Sequence, residues 1–343
     1  MKQQYDVTIG MSVYRAKPYI RKSLLSALAQ SYSSVCFLII DDGDDMGSME
    51  IVHELQATHP RGGDIRIVAL PRNQGAGSAR NHIIDETTTD FLYFMDSDDV
   101  IEPETIELLM REQDRQQAEL VFGSYEQSLL HGDKLPQLHR YPRLSFTEKG
   151  ALATYAYRHY GGFQSSVCNV LMNVAFLRST GVRFIDASYW EDMAFIYELL
   201  PHASRAVLLP KVTYHYLCRP DSLSHYQDRD VIVKAEVMKN IGTIEYLKQF
   251  STRVQDQPYA GYLSYSLLMH DLYINCQILE KRRLISPGFS LQEMRHIMWH
   301  PFALSDILRL KHYRWRNLVL ALMGRLPSWC FLLLVRLFMK IKR

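Results

Sequence analysis

The sequence predicts an α/β fold: a Rossmann-like, mostly parallel sheet with helices on both faces, followed by a C-terminal helical extension. Apolar runs of strand length alternate with segments of helical spacing through the first part of the chain. The strand runs are almost entirely apolar, which is typical of parallel strands buried on both faces. We assign strands to 7–13, 35–40, 65–70, 91–95 and 120–125, and helices to 18–30, 49–58, 75–84 and 103–115.

The length and texture of the chain indicate about two units. Its 343 residues are 47% hydrophobic and 22% charged, which is ample for a folded core and longer than one usual domain. From about Asp230 the strand pattern stops, and helical patterns follow at 231–250, 259–284 and 291–310. We predict an α/β domain at 1–225, a helical region at 226–316 and a basic amphipathic segment at 317–343.

The cysteines and the N-terminus predict a cytoplasmic protein. Five cysteines are spread along the chain without a CxxC pair, which indicates reduced thiols rather than a zinc or disulfide framework. The first residues run directly into a strand and contain no hydrophobic signal-peptide region.

Three carboxylates follow the strand at 91–95. Asp96, Asp98 and Asp99 repel one another unless a positive group holds them together. A hard divalent cation is the natural partner, since Mg²⁺ binds one or two carboxylates together with substrate phosphates. A solvated acidic turn, or the N-terminal cap of the helix near Pro103, explains the cluster equally well on its own.

A second acidic pair and a tyrosine fall at equivalent positions. Asp41 and Asp42 follow the strand at 35–40, and Tyr14 follows the first strand. In open α/β sheets, ligands bind at the carboxyl ends of the strands, where a carboxylate can accept a hydrogen bond from a base or a ribose. Taken alone, Asp42-Gly43 is better explained as a turn.

The segment 73–81 is a turn that enters a helix. It contains Gly75 and Gly77 but lacks the third glycine and the later acid of a dinucleotide-binding loop. Arg80 follows, and its planar guanidinium suits either a diphosphate or an ion pair with the acidic edge. Both roles are open.

Two acids begin an apolar helix in the segment 190–199. Glu191 and Asp192 stand where the helix dipole favours carboxylates, so ordinary capping explains them when they are taken alone.

Together these motifs resemble family 2 glycosyltransferases with the GT-A fold, from about Tyr5 to Ser224. The segment 214–224 resembles the closing part of that catalytic domain. One departure is Asp44-Asp45, where relatives often have Ser or Thr and then Asp. The motifs that carry the resemblance are Ser12-Val13-Tyr14, Asp41-Asp42-Gly43, Asn73 to Asn81, Asp96-Ser97-Asp98-Asp99 and Glu191-Asp192.

The resemblance implies binding roles for the matching positions. A divalent metal ion, Mn²⁺ or Mg²⁺, would bridge the diphosphate of a nucleotide-sugar donor. The implied contacts are Val13, Tyr14, Asp41 and Asp42 with the base, usually uracil; Asp96 with ribose and metal; Asp98 with metal; Arg80 with the diphosphate; and His215 or Arg219 completing the metal or phosphate environment.

The implied reaction is inverting sugar transfer to a hydroxyl of a saccharide or lipid-linked acceptor in cell-surface polysaccharide assembly. Asp192, with Glu191 beside it, would take the acceptor proton as the hydroxyl attacks from the face opposite the leaving nucleotide. No covalent enzyme nucleophile is needed.

The C-terminus predicts a membrane-surface segment. From Arg309 to Arg343 there are nine Lys/Arg and no acids, which leaves about −7 on the rest of a chain with net charge +2. Its longest uninterrupted apolar run, Trp329 to Val335, is far below the roughly 20 residues that span a bilayer. A basic amphipathic segment favours the interface of the inner membrane face, so we expect a peripheral protein. Packing on the protein or in an oligomer is the alternative.

Two other functions use similar architecture. A sugar-nucleotide pyrophosphorylase would need a Gly-rich, basic loop after the first strand, where this chain has Ser12 to Lys17. A non-catalytic nucleotide-sugar scaffold would lack a metal or base carboxylate, and none is missing. Nucleic-acid binding is disfavoured because no recognition motif accompanies the basic segment.

Overall fold

The computed structural model describes residues 5–43, 46–129, 137–160, 166–187, 189–218 and 230–342. The chain divides into two units by its internal contacts. Unit 1 comprises 1–152, 166–188 and 199–220, and unit 2 comprises 153–165, 189–198 and 221–343. The predicted domain boundaries at 225 and 316 stay predictions.

Unit 1 is built on a mixed sheet, with strand order β3-β2-β1-β4-β9-β6-β10-β5. The strands β3, β2, β1 and β4 are parallel, β9 is antiparallel to β4 and β6, and β10 is parallel to β6. The strand bounds are β1 (Val7–Val13), β2 (Val35–Asp41), β3 (Ile65–Ala69), β4 (Phe91–Phe94), β5 (Val100–Ile101), β6 (Leu120–Leu129), β7 (Gln137–His139), β8 (Leu144–Phe146), β9 (Val170–Asn173) and β10 (Ala206–Cys218). The predicted fold class is confirmed.

Helices connect these strands and form most of unit 2. Two short strands, β11 (Ile232–Val233) and β12 (Ile285–Ser286), pair there in parallel. The helix bounds are α1 (Ile20–Leu28), α2 (Ser48–Thr58), α3 (Ala76–Glu86), α4 (Thr105–Gln116), α5 (Ala151–Tyr160), α6 (Val174–Thr180), α7 (Glu191–Leu199), α8 (Lys234–Arg253), α9 (Ala260–Glu280), α10 (Leu291–Ile297), α11 (Leu304–Arg309), α12 (Arg314–Met323) and α13 (Ser328–Lys342).

The first strand has a glycine where a helix approaches it closely. An added Cβ at Gly10 would lie 2.3 Å from Cγ2 of Ile83 on α3. Any side chain at residue 10 would therefore push α3 away from the sheet. This contact holds α3, and Arg80 on it, against the centre of the sheet.

A buried asparagine joins the three strands at the sheet's other half. The Asn169 amide donates to the carbonyls of Gly123 and Ser124 at 2.7 and 2.9 Å. Its Oδ1 accepts hydrogen bonds from Thr213 Oγ1 at 2.7 Å and Tyr93 Oη at 3.2 Å. Since a buried amide is costly unless it is paired, this network specifies how β4, β6 and β10 align.

The helix predicted at 291–310 is wrong, because two short helices, α10 and α11, occupy this stretch. Pro301 cannot donate a helical hydrogen bond, and it follows the end of α10 closely. Lys248 on α8 donates to the carbonyls of Ile297 and Trp299, both at 2.8 Å. These carbonyls at the end of α10 are thus satisfied from a neighbouring helix, and the break is stable.

Within the part of the chain that the structure describes, no helix is both long and apolar enough to cross a bilayer.

Candidate active site

Three of the predicted motifs meet at one edge of the sheet. Val13 pairs with Asp41 across β1 and β2, and Gly10 pairs with Phe94 across β1 and β4. The Asp42 N–H donates to the Val13 carbonyl at 3.0 Å. Because these strands are parallel, Tyr14, the Asp41/Asp42 pair and the cluster after β4 all follow strand ends at the same edge.

Asp42 holds the turn before α3. Its carboxylate is 2% exposed and accepts hydrogen bonds from Gln74 N at 2.7 Å, Gly75 N at 3.0 Å and Asn73 Nδ2 at 3.1 Å. Burial raises the pKa of Asp42, while the two backbone hydrogen bonds lower it. The structure thus gives Asp42 a turn-stabilising contact, and its contact with a nucleotide base stays a prediction.

The neighbouring glycine allows that turn to approach. Gly43 has φ +72°, and an added Cβ would lie 2.6 Å from Asn73 N. Glycine is suited to this position because it adopts positive φ without strain and leaves room for the second chain segment. The end of β2 and the segment 72–75 are therefore held side by side.

Tyr14 and Val13 differ in accessibility. The Val13 side chain is fully buried in the sheet, whereas the Tyr14 ring is exposed, with the Arg15 guanidinium 5.0 Å from its centroid. Asp41, at the end of β2, is half-buried. Tyr14 and Asp41 are accordingly the accessible members of the predicted base-binding set.

Arg80 pairs with the acidic cluster. Its Nη2 lies 2.9 Å from Asp96 Oδ1, and its guanidinium lies 5.6 Å from the ring centroid of Phe184. Of the two roles left open by the sequence, the ion pair is present in the structure. A contact with a diphosphate stays a prediction.

The acidic cluster places three carboxylates together. Oxygen atoms of Asp96, Asp98 and Asp99 all lie within 4.8 Å of one another. The donors are all carboxylate oxygens, the ligand type that Mg²⁺ and Mn²⁺ prefer, so the residues fit a hard divalent cation. The resemblance assigned the metal to Asp96 and Asp98, with His215 beside them, and the structure keeps Asp99, the third acid of the sequence cluster, in the same group.

Asp99 is the buried member, and β10 holds it in place. It accepts hydrogen bonds from Tyr214 Oη at 2.6 Å and Leu217 N at 2.9 Å. Burial raises the pKa of Asp99 well above its usual range, and repulsion from Asp98 and Asp96 raises it further, while these two hydrogen bonds lower it. A cation would relieve the repulsion among the three acids.

His215 lies on the same strand beside two other acids. Its Nε2 is 2.7 Å from Glu102 Oε1, and its Nδ1 is 3.5 Å from Glu126 Oε1. A carboxylate partner is what a metal-bound histidine commonly has on its second nitrogen. Its predicted role beside a metal or phosphate stays a prediction.

Glu191 and Asp192 begin α7, as the sequence predicts. They are grouped with unit 2, and Asp192 Oδ1 accepts a hydrogen bond from Met193 N at 2.8 Å. Trp190, immediately before them, has φ +60°, an uncommon conformation for a bulky residue. The base assignment stays a prediction.

Some predicted positions lie outside the described residues, and some residues of the edge were not predicted. The predicted positions outside the described residues are Arg219, Asp44 and Asp45. Tyr214 was noticed only as part of the segment 214–224, and its bond to Asp99 joins residues 115 positions apart. Local sequence carries no signal for such a contact.

The fold is of the GT-A type, with the acidic cluster at the carboxyl edge of its parallel strands. Residues 8–176, just under half of the chain, match the model of glycosyl transferase family 2. The family that the motifs resembled is confirmed.

Relatives and solved structures agree with this family. The succinoglycan biosynthesis protein ExoO of Rhizobium meliloti is 27% identical over 64% of this chain and 62% of its own length. The UDP-Glc:alpha-D-GlcNAc-diphosphoundecaprenol beta-1,3-glucosyltransferase WfaP of Escherichia coli is 25% identical over 69% of this chain and 86% of its own. Two further relatives are matched along only a part of their own length, which is 50% for one and 16% for the other.

The crystal structure of S. aureus TarS 1–349 in complex with UDP-GlcNAc has a similar fold. The TM-score is 0.55 at 16% identity, covering 93% of this chain and 90% of that one.

Proposed function

We propose that the chain transfers a sugar, with inversion, from a UDP-sugar to a hydroxyl of a saccharide or lipid-linked acceptor in cell-surface polysaccharide assembly. The observation that carries the proposal is the convergence of Asp96, Asp98 and Asp99 beside Arg80 at the carboxyl edge of the parallel strands. The UDP-GlcNAc named in the TarS structure and the UDP-Glc in the name of WfaP favour a UDP-linked donor.

The donor's nucleotide would lie at the edge of unit 1. Tyr14 offers an accessible ring for stacking on a base, and the half-buried Asp41 offers an acceptor for a base N–H. Arg80, together with Arg219, would contact the diphosphate. Val13 and Asp42 are both buried, so they would hold this edge of the sheet in place beneath the nucleotide.

Asp96 and Asp98, with Asp99 behind them, would hold Mn²⁺ or Mg²⁺, and His215 would stand beside it. When bound, such an ion neutralises the charge that develops on the departing nucleotide diphosphate. Tyr214 contributes by orienting Asp99 through its 2.6 Å hydrogen bond. Arg80 balances part of the negative charge of the cluster through Asp96.

Asp192 would be the general base, with Glu191 next to it on the first turn of α7. The acceptor O–H proton moves to the Asp192 carboxylate while the acceptor oxygen forms its bond to the anomeric carbon. The bond from that carbon to the diphosphate oxygen breaks, and its electron pair leaves with UDP. One displacement inverts the anomeric centre without a covalent enzyme intermediate.

A screen of UDP-sugars with Mn²⁺ tests the activity, with release of UDP as the readout. We expect Asp192→Asn to lower turnover about 10³-fold while preserving UDP binding, because only proton transfer is lost. Asp186→Asn is the matched control, since Asp186 is an exposed acid of the preceding segment. Full turnover in the Asp192 variant contradicts the base assignment, and release of pyrophosphate contradicts the proposed reaction.

We also propose that the C-terminal segment lies at the inner surface of the cell membrane. On α12 and α13 the large apolar side chains Trp315, Val319, Trp329 and Leu333 are 66%, 62%, 70% and 61% exposed. Their spacing of four residues puts each pair on one helix face. Apolar faces flanked by basic residues favour a lipid interface. The name of WfaP describes a diphosphoundecaprenol-linked compound, which fits a lipid-linked acceptor.

Substitution of the exposed side chains tests this location without truncating the chain. Trp329→Ser/Leu333→Ser should lower binding of the full-length protein to phospholipid vesicles. Leu25→Ser/Leu138→Ser, which changes two exposed leucines of unit 1, should not. Equal vesicle binding by the unmodified protein and both variants would contradict a membrane role for the exposed apolar side chains of α13.

A further inference from the structure

A second charged site lies within unit 2, between the end of α9 and α13. The two elements enclose a cleft with a volume of about 510 Å³. Its charged lining residues are five basic side chains and one acidic one: Lys281, Arg282, Arg283, Arg336, Lys340 and Glu280.

The positive charges of the cleft come from two places that are far apart in the sequence. Arg282 and Arg283 lie on the turn after α9, and both are exposed. Arg336 and Lys340 are four residues apart on α13, so they occupy one face of that helix. Within the described residues, none of these four side chains has an ion-pair partner. Like charges brought together in this way repel one another, and an anion would relieve that repulsion.

Arg336 and Lys340 share a sector of α13 with its exposed apolar residues. Trp329, Leu333 and Leu337 recur every four residues and are exposed. At 100° per residue, Arg336 and Lys340 fall in the same sector as this apolar row. A group held in the cleft would therefore have its charge against the arginines and any attached hydrocarbon beside the tryptophan and leucines. That amphipathic arrangement describes a phospholipid rather than a soluble anion.

We propose that the cleft binds the phosphate of an anionic phospholipid of the membrane to which α12 and α13 dock. The inference rests on the membrane location proposed above and adds a defined headgroup site to it. Guanidinium groups suit this ligand because they donate paired hydrogen bonds to phosphate oxygens. Arg282 and Arg283 lie outside the segment 317–343, so the lipid-contacting surface includes the turn after α9.

Vesicle binding by the full-length protein tests the site. The probes are vesicles of phosphatidylcholine alone and of phosphatidylcholine mixed with phosphatidylglycerol, at constant ionic strength. The test variant is Arg282→Gln/Arg283→Gln. Its control is Lys239→Gln/Arg253→Gln, which removes the same charge from two exposed positions on α8.

We expect the cleft variant to bind the phosphatidylglycerol vesicles about tenfold more weakly than the control variant does, and both to bind neutral vesicles alike. Equal losses in the two variants would overturn the site, because net charge alone would then explain binding. Tight binding of inorganic phosphate, with no dependence on vesicle composition, would also overturn it in favour of a soluble anion.

Release of UDP from a UDP-sugar in detergent separates this proposal from the proposed function. Both variants should retain it, since none of the four residues is assigned to the chemistry. Loss of vesicle binding with intact UDP release supports the headgroup site. Absence of UDP release in the unmodified protein contradicts the proposed reaction and leaves the vesicle comparison valid.

Discussion

Each unit contains an ion pair in which the basic side chain is buried, and the two pairs differ in their access to solvent. In unit 1, Arg80 Nη2 lies 2.9 Å from Asp96 Oδ1, with side-chain exposures of 8% and 29%. In unit 2, Lys248 Nζ lies 2.5 Å from Asp271 Oδ2, and both side chains are 1% exposed. The first pair is open on its acidic side, and the second is sealed among α8, α9 and α10.

The difference shows what each pair can do. Asp96 retains accessible surface and stands beside two more carboxylates, so it can accept a ligand while Arg80 holds it in place. Lys248 donates to two backbone carbonyls as well as facing Asp271, and it has no exposed surface for a ligand. We infer that the open pair serves binding, whereas the sealed pair supports the packing of the helices.

The largest effect should come from breaking the sealed pair. Lys248→Met leaves Asp271 buried without its partner and two carbonyls without a donor. We expect about 3–5 kcal/mol less free energy of unfolding, measured by urea denaturation. Lys248→Met/Asp271→Leu should recover part of that loss, because it removes the buried carboxyl group that has lost its partner. Removal of the exposed Arg21–Glu54 pair by Arg21→Met is the control, and it should change stability far less. A similar loss in both single variants would contradict a special role for the sealed pair.

The next largest effect should come from Asp98, which lies beside the Arg80–Asp96 pair. Its substitution should reduce activity with little loss of stability. Asp98→Asn removes one carboxylate of the proposed metal site and relieves some repulsion. We expect UDP release to fall about 10²- to 10³-fold, with the unfolding midpoint unchanged or raised. Asp90→Asn is the matched control, since Asp90 is an exposed acid that precedes β4 at its opposite end. An equal loss in both variants would show that the acidic edge is not the site.

A smaller effect should follow from removing the hydrogen bond that orients Asp99. Tyr214→Phe removes the hydroxyl that donates to Asp99 at 2.6 Å. The apparent affinity for Mn²⁺ in the UDP-release assay should fall about 10- to 100-fold, as expected for the loss of a group that orients a ligand. Tyr32→Phe removes a comparable hydrogen bond, to Asp6 Oδ2 at 2.8 Å, and should leave the Mn²⁺ dependence unchanged. An unchanged dependence in the Tyr214 variant would limit this residue to a structural role.

The smallest effect concerns pH. Burial raises the pKa of Asp271 to about 7, although Lys248 lowers it, and the pKa of an unfolded aspartate is about 3.9. The folded protein holds this proton more tightly, so the stability that Asp271 contributes is present at low pH and is lost as pH rises through about 7. Between about pH 6 and pH 8 the loss is about 1 kcal/mol.

Asp271→Asn is the variant that tests this titration, with urea denaturation at both pH values. The difference in unfolding free energy between the unmodified protein and the variant should shrink as pH rises. Other groups titrate equally in both proteins, including the nearby His300, and cancel in the comparison. A difference that is constant with pH would mean that Asp271 keeps one protonation state across this range.

Much of unit 1 could be predicted from the sequence, because its signals are local. The buried runs at 7–13 and 35–40 alternate with amphipathic helices, and the acids stand directly after the strands. The direction of β9, which is antiparallel to β4 and β6, was not predictable, because it depends on pairing between distant segments. The division of 291–310 into two helices was missed although Pro301 is a local signal for a break; the lysine on α8 that satisfies the carbonyls at that break cannot be read from the local sequence.

The sequence by itself determined the class of fold, the family and the carboxylates that follow the strands. These depend on periodicity and on short motifs, which are properties of neighbouring residues. Only the tertiary structure decided that Asp42 holds a turn, that Tyr214 orients Asp99, and that the arginines after α9 join Arg336 and Lys340 in one cleft. The physical reason is that burial and hydrogen bonding act between side chains that are close in space, whatever their separation along the chain.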